Sequence, residues 1–320
     1  MFGFNSDKKK ETIESIIKET HLKYDEPLKD HTTFGIGGKA KIFVTPNEEE
    51  LIKLIKFLKE NKKGYVIIGN GSNVLVSDDG IHDVTICISN VMGEVKVLPT
   101  DNDDEMIIEA GAGALLSRIA SVAKDNSLTG FEPLAGIPGS FGGGVLMNAG
   151  AYGAEIKDVL LDIRLLTDDG EIVTKTVDEI SLSYRHSSIM DEGGIILSGR
   201  VKLKTGDKEE IKKKMEELAA SRREKQPLEF KSAGSTFKRP VPAPGEEQQY
   251  ASKLIDEAGL KGFEIGDAEV SSKHAGFIIN KGNARATDVM RLIRDVQETV
   301  YKKFGVKLEP EVRILGDFPE

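Results

Sequence analysis

Eight glycines fall within the twenty-four residues 130–153. A glycine in a helix or strand interior costs roughly 0.5–1 kcal/mol against alanine, so this density predicts a loop and argues against a regular element. A linker would be more polar, whereas this segment keeps Ile137, Phe141, Val145, Leu146 and Met147. It reads as a folded loop whose bare backbone can approach a flat or charged ligand, with a flexible loop as the plainer alternative. A second glycine loop, Gly69-Asn70-Gly71-Ser72-Asn73, follows the short buried strand YVII at 65–68. Its glycines let the chain turn tightly and aim successive N–H groups at an anion, and its Ser and Asn side chains add donors. A tight turn between strands explains the same residues, so this loop alone leaves the choice open.

Neither loop is the dinucleotide fingerprint G-x-G-x-x-G with a distant acid, and no G-K-S/T marks a P-loop. Two phosphate-cradling loops in one domain suit a pyrophosphate ligand such as FAD on some other nucleotide fold. The net charge of −9 argues against a general nucleic-acid binder but allows a local basic pocket. Cys87 is the only cysteine, which excludes an internal disulfide and a cysteine-rich metal site. The five histidines, His21, His31, His82, His186 and His274, show no ligand spacing, so no metal is expected. No run approaches 18 apolar residues and the first residues lack a signal peptide's apolar stretch, so a soluble cytoplasmic protein is expected, with no membrane partner.

At 320 residues two domains are expected. A polar helix over 5–20 forms an N-terminal piece (1–25). An α+β domain follows (26–205), and after a change of composition a smaller α/β domain (206–320). Thr45, Pro46 and Glu48 predict a capped helix ending at Lys62-Lys63-Gly64. Further helices are expected over 114–126, from Asp207 to before Pro227, over 248–258, and over 287–304 capped by Thr287. A hairpin is expected at 158–177, and strands at 41–44, 195–203 and 311–315.

Three further stretches could carry chemistry. In Ser183-Tyr184-Arg185-His186-Ser187 a cation among donors could bind a carboxylate or steady an oxyanion, against the plain reading of a surface loop. Small residues around Ser235, in Ser232-Ala-Gly-Ser-Thr-Phe-Lys238, suggest a closely approached hydroxyl, against an incidental turn serine. No G-x-S-x-G elbow accompanies it. Glu311 opens an apolar strand, where desolvation would raise its pKa as an acid needs, unless it is simply exposed.

Taken together and in order, the motifs resemble the UDP-N-acetylenolpyruvoylglucosamine reductase (MurB) family. The carrying residues are HTTFGIGG (31–38), GNGSN (69–73), EPLAGIPGSFGGGVLMNAGAYG (132–153), SYRHS (183–187), AGSTFKRP (233–240), LIDEAGLKGFEIGDAEVSSKHAGFIIN (254–280) and LEPEVRILG (308–316). The resemblance implies a two-part FAD-binding domain of the vanillyl-alcohol-oxidase (PCMH) type followed by a substrate domain. It implies noncovalent FAD at Gly69, Asn70, Gly71, Ser72, Asn73, Pro138, Gly139, Ser140, Gly143, Gly144 and Ala149. NADPH is the implied electron donor. The implied reaction reduces UDP-N-acetylglucosamine enolpyruvate to UDP-N-acetylmuramate for peptidoglycan synthesis, in a monomer. Hydride reaches the methylene carbon, Ser235 gives the proton, and Arg185 and Glu311 stabilise the enolate. Tyr184, Arg223, Lys238 and Arg239 are the implied substrate contacts.

Three departures from the family pattern stand out, one of them a loop at 239–250 that is longer than in short family members. Arg239 occupies a position where the family commonly has Asn, and Gly35 one that is often basic or polar. The short span between 203 and 207 leaves no room for a tyrosine-bearing insertion, which assigns the shorter subclass. The competing readings are a flavin oxidase on the same fold and a non-catalytic flavin or nucleotide sensor.

Overall fold

The computed structural model describes residues 11–89, 91–242, 245 and 247–318. The first sheet has the order Leu22–Pro27, Lys39–Val44, Ile81–Cys87, Tyr65–Ile68. Its first pair is antiparallel and the other two are parallel. Between the second and fourth of these strands runs the helix Glu48–Glu60. Leu51, Leu54, Ile55 and Leu58 recur at helical spacing and are all buried, so one apolar face faces the core.

This helix starts two residues later than the sequence suggests. Asn47, not Thr45, accepts from Glu50 N–H at 2.9 Å, and Glu50 returns a bond to Asn47 N–H. Glu50 wins over Glu48 because its buried carboxylate also receives His21 Nδ1 at 2.8 Å and Lys18 N–H at 3.1 Å. Glu48 instead takes Arg164 from the second sheet.

The second sheet is antiparallel, in the order Ile172–Thr176, Leu160–Leu166, Ile195–Thr205, Glu105–Gly111, Val95–Pro99. It shares one large core with the helices Glu48–Glu60 and Leu116–Asp125. Of the helix expected over 5–20, the part before residue 11 lies outside the described residues, and within 11–20 the α-helix spans Ile13–Ile16. One turn is too short to be stable alone. Ile13 and Ile17 hold it in the large core rather than outside it.

The glycine-rich stretch corrects a second expectation. It contains a short helix, Phe141–Leu146, running through Gly142, Gly143 and Gly144. Gly142 and Gly144 are there for proximity. A Cβ on Gly142 would lie 2.8 Å from Ala112 Cβ, and one on Gly144 2.8 Å from Ile156 Cδ1. Burial of Phe141 and Val145 offsets the poor helix propensity.

The helix Lys208–Lys225 is capped by Asp207, which accepts from Glu210 N–H. It packs on Leu116–Asp125 and on the turn Glu132–Leu134, with Met215 against the large core. A third sheet, Lys231–Ser235, Phe277–Asn280, Ala268–Val270, Glu264–Ile265, is antiparallel. Its core takes the helices Ala251–Glu257 and Ala286–Phe304, together with Phe34, Ile36 and Leu75 from the first half of the chain.

The two halves are stitched together closely. Thr287 does not cap the last helix. Asp78 does so from across the chain, accepting Ala286 N–H at 2.8 Å and Thr287 N–H at 3.0 Å. Its negative charge at the helix start is favourable, and two orphan donors are satisfied. The strand Arg313–Leu315, shorter than expected, pairs in parallel with Val74–Val76.

Candidate active site

A cleft of about 630 Å³ opens between the two halves, and Arg185, Ser235 and Glu311 all line it. Arg185 Nε donates to Glu311 Oε1 at 2.5 Å, with the side chains 19% and 12% exposed. Arg185 sits at φ +56°, a left-handed conformation costing a non-glycine residue roughly 1–2 kcal/mol. A pair of bonds between Ser183 and His186 holds this turn. Asn148 braces it from behind by donating to the Ser183 carbonyl. Such strain at a non-glycine residue, held by its surroundings, is common at working sites.

Burial pushes the Glu311 carboxyl above the ordinary carboxylate range, and the nearby Arg185 guanidinium opposes this without cancelling it. Ser235 reaches the cleft because the strand Lys231–Ser235 is bulged. The register slips between Ser232 and Ser235, with Gly234 at φ +79°. A bulge of this kind re-aims a side chain. The chain beyond it runs beside the 309–311 segment, with Glu311 N–H donating to Thr236 O at 2.8 Å and Lys238 N–H to Glu309 O at 2.9 Å.

Of the four substrate contacts implied by the resemblance, Tyr184 and Arg239 line the cleft and Arg223 and Lys238 do not. The Arg239 guanidinium lies 4.3 Å from the Tyr184 ring centroid, and Arg239 N–H donates to Tyr184 Oη at 3.2 Å. Lys238 turns outward to Glu309 at 3.5 Å. Arg223 is exposed, with its carbonyl taken by Lys273. Its neighbour Arg222 points inward and donates to the Gly136 carbonyl, bracing the glycine-rich loop, and burial lowers its pKa.

Sequence reasoning missed Tyr152 and His274, which also line the cleft. Tyr152 donates to the Leu218 carbonyl at 3.2 Å. His274 Nδ1 accepts Gly276 N–H at 3.1 Å, which leaves Nε2 to carry the proton of the neutral ring, and burial lowers its pKa. An isolated histidine without ligand spacing gives no signal for this.

The two glycine loops meet. Asn70 Nδ2 donates to Pro138 O at 2.6 Å, joining 69–73 to the 136–144 stretch. A Cβ on Gly69 would fall closer than 3.0 Å to Ser140 Oγ, and one on Gly71 (φ +60°) closer still to the His31 carbonyl. Ser140 Oγ and Ser89 Oγ are buried without a partner. Gly69, Asn70, Ser89 and Cys87 line a second cavity of about 390 Å³. Orphaned hydroxyls beside a bare, tightly packed backbone fit a diphosphate bound by neutral donors, so the residues present fit FAD.

Not every expected ligand is free for that task. Gly144 packs against Ile156, Ala149 N–H is spent on the Gly144 carbonyl at 2.7 Å, and the Asn73 amide donates to Glu311 O at 3.1 Å. Among the described residues no group of three or more His, Cys, Asp or Glu could hold a metal, and no helix is long and apolar enough to cross a membrane.

Residues 40–176 match the family model of an FAD binding domain, and residues 226–315 match that of the UDP-N-acetylenolpyruvoylglucosamine reductase C-terminal domain. The α+β fold is therefore an FAD-binding domain joined to that second domain. The UDP-N-acetylenolpyruvoylglucosamine reductase of Agathobacter rectalis is 52% identical over 308 residues, covering 94% of this chain and 96% of its own. That of Caldanaerobacter subterraneus subsp. tengcongensis is 48% identical over 306 residues, covering 95% and 97%. The crystal structure of the Thermus caldophilus enzyme (MurB) superposes with a TM-score of 0.75 at 37% identity, covering 92% of this chain and 98% of that one. With this similarity spanning nearly its whole length and both family domains in place, the chain belongs to the UDP-N-acetylenolpyruvoylglucosamine reductase family.

Proposed function

We propose that the protein reduces UDP-N-acetylglucosamine enolpyruvate to UDP-N-acetylmuramate, with NADPH as electron donor and noncovalent FAD as cofactor, as a cytoplasmic monomer. The observation that carries this reading is the convergence of Arg185, Glu311 and Ser235 on one cleft beside the glycine loops. FAD, when bound, supplies the hydride chemistry. The backbone of 69–72 and 138–140, with the Ser140 hydroxyl, would hold it.

Hydride addition at the methylene carbon of an enolpyruvyl ether puts negative charge on the adjacent carbon and its carboxylate. A site for that step needs a cation and a hydrogen-bond donor at the carboxylate and a proton for the carbon. Arg185 meets the first need. Glu311, held toward its protonated form by burial, meets the second. The Ser235 hydroxyl supports the third, giving its proton to the substrate carbon. Arg239, flat on Tyr184, presents a cation to the anionic remainder of the substrate.

The test is anaerobic. The enzyme is reduced with one equivalent of NADPH, mixed with the enolpyruvyl substrate, and followed by flavin absorbance. Return of the oxidised spectrum is expected. In Ser235→Ala that return should slow by about two to four orders of magnitude, the usual contribution of a positioned proton donor, while bleaching by NADPH persists. Bleaching without return in the wild type refutes the substrate. Fast reoxidation by air, with no response to the UDP-sugar, establishes the oxidase alternative instead.

A further inference from the structure

We infer that Asn73 is a positioning residue for Glu311, tying the flavin-side glycine loop to the carboxyl that acts on substrate; this deepens the reductase reading and rests on it. Glu311 belongs to no regular element, since the strand beside it begins at Arg313. Its main chain is nonetheless held on both sides. Its N–H donates to the Thr236 carbonyl at 2.8 Å, next to Ser235. Its C=O accepts the Asn73 side-chain amide at 3.1 Å. The Asn73 carbonyl in turn accepts Arg313 N–H at 3.0 Å, and the next residue, Val74, opens the parallel pairing with Arg313.

One asparagine thus brackets residues 311–313 with both its side chain and its main chain. The same residue closes the loop whose Gly71 carbonyl is fixed by Thr33 N–H at 3.1 Å. A small shift of that loop is therefore passed to residues 311–313 through two hydrogen bonds. The residue type follows from the contact. A carbonyl needs a donor, which an amide supplies and an aspartate carboxylate does not. Near-attack geometry is lost with displacements of about 1 Å, so a loosened Glu311 backbone is enough to slow the chemistry.

Arg185 touches the Glu311 carboxyl, and the charges of Lys238 and Arg239 act on it without a hydrogen bond. With the Glu311 main chain freed from Asn73, its side chain would gain water, and the carboxyl pKa would fall back toward the ordinary carboxylate value.

The experiment compares wild type, Asn73→Ala and Asn73→Asp as holoenzymes. FAD affinity is read by fluorescence on reconstituting apoprotein. Reoxidation of the NADPH-reduced flavin by the enolpyruvyl substrate is read from pH 5 to 9, and Glu311 ionisation by infrared difference spectroscopy. We expect FAD affinity within threefold of wild type, reoxidation at saturating substrate slowed tenfold or more, and its alkaline limb moved to lower pH together with the infrared titration. Asn73→Asp, being isosteric, gives the same comparison if Asn73→Ala does not fold, and it should not rescue. A tenfold weaker FAD affinity with unchanged reoxidation overturns the inference and makes Asn73 a cofactor ligand. An unmoved Glu311 titration, or equal loss in every readout, also overturns it. A wild-type enzyme that the substrate does not reoxidise refutes the reductase reading separately, and the infrared titration still decides the role of Asn73.

Discussion

Replacing Gly69 with alanine introduces one methyl carbon at the meeting point of the two glycine loops. It would sit closer than 3.0 Å to Ser140 Oγ and 3.2 Å from Ser140 Cβ. Gly69 does not adopt a left-handed conformation, so the cost comes from this overlap alone. Overpacking of a tight site costs about 1–3 kcal/mol. At about 2 kcal/mol, displacement of the loop from its ligand-binding position raises the FAD dissociation constant about thirtyfold. The obstacle is a single side chain, so a second substitution removes it. Ser140 makes no capping bond to the helix it precedes, and changing it to glycine sacrifices no cap. Ser140→Gly alone should weaken FAD by the loss of one hydroxyl contact. Gly69→Ala added to that background should cost almost nothing more, a coupling of about 2 kcal/mol between neighbours. Gly71→Ala should find no such suppressor, because its methyl group meets the His31 main chain at a residue with φ +60°. The assay is a double-mutant cycle on FAD affinity, measured by flavin fluorescence, with thermal unfolding of each apoprotein as a control. Strictly additive losses for Gly69→Ala and Ser140→Gly would refute the steric account.

The remaining predictions concern charge and access. Glu311 has its carboxyl pKa raised by burial, so the folded state binds its proton more tightly than the unfolded chain does. Its contribution to stability is full below the unfolded carboxylate value and is lost as pH rises through the folded value. The enolpyruvyl half-reaction should decline through that same folded value, and Glu311→Gln, which keeps a donor, should flatten the decline in a pH–rate profile at reduced maximal rate. Cys87 is buried and its thiol pKa is raised by burial, so a thiol reagent at pH 8 should label the native protein far more slowly than the guanidinium-unfolded chain. Rapid native labelling would mean that the second cavity opens far wider than the structure shows. Arg239→Ala should raise KM for the UDP-sugar severalfold with a smaller change in kcat, as loss of a binding cation does; an unchanged KM would place that guanidinium outside the bound substrate's reach.

Local patterns were readable in the chain where local physics decides them. The amphipathic helix Glu48–Glu60 and the Asp207 cap are examples, since spacing and capping chemistry act over a few residues. The readings that went astray depended on partners distant in sequence. Thr287 looked like a cap, but the Asp78 carboxylate arrives from 208 residues away to do the task. Glycines 142–144 look too poor for a helix, but Ala112 crowds position 142 and Ile156 crowds position 144. The three residues expected to do chemistry were visible through motif order, and they do share a cleft. Which of two adjacent arginines faced inward was not visible, because the orientation of Arg222 and Arg223 depends on how their helix sits on the turn at Glu132–Leu134.

The parallel pairing of Val74–Val76 with Arg313–Leu315 has a consequence for biosynthesis. A chain emerging from the ribosome exposes the flavin-side loops early and residues 311–315 some two hundred and thirty-eight residues after Asn73. Through that interval Val74–Val76 has no strand partner, because it pairs with no other strand among the described residues. Loop-closure entropy grows only slowly with such a separation, so the late pairing costs little more thermodynamically than a nearer one, although it delays completion. Until residue 311 is made, the nascent polypeptide can gather its first core but has neither Glu311 nor the strand Arg313–Leu315 that follows it. If Glu311 has the role proposed for it, chain order alone blocks turnover before that residue is made.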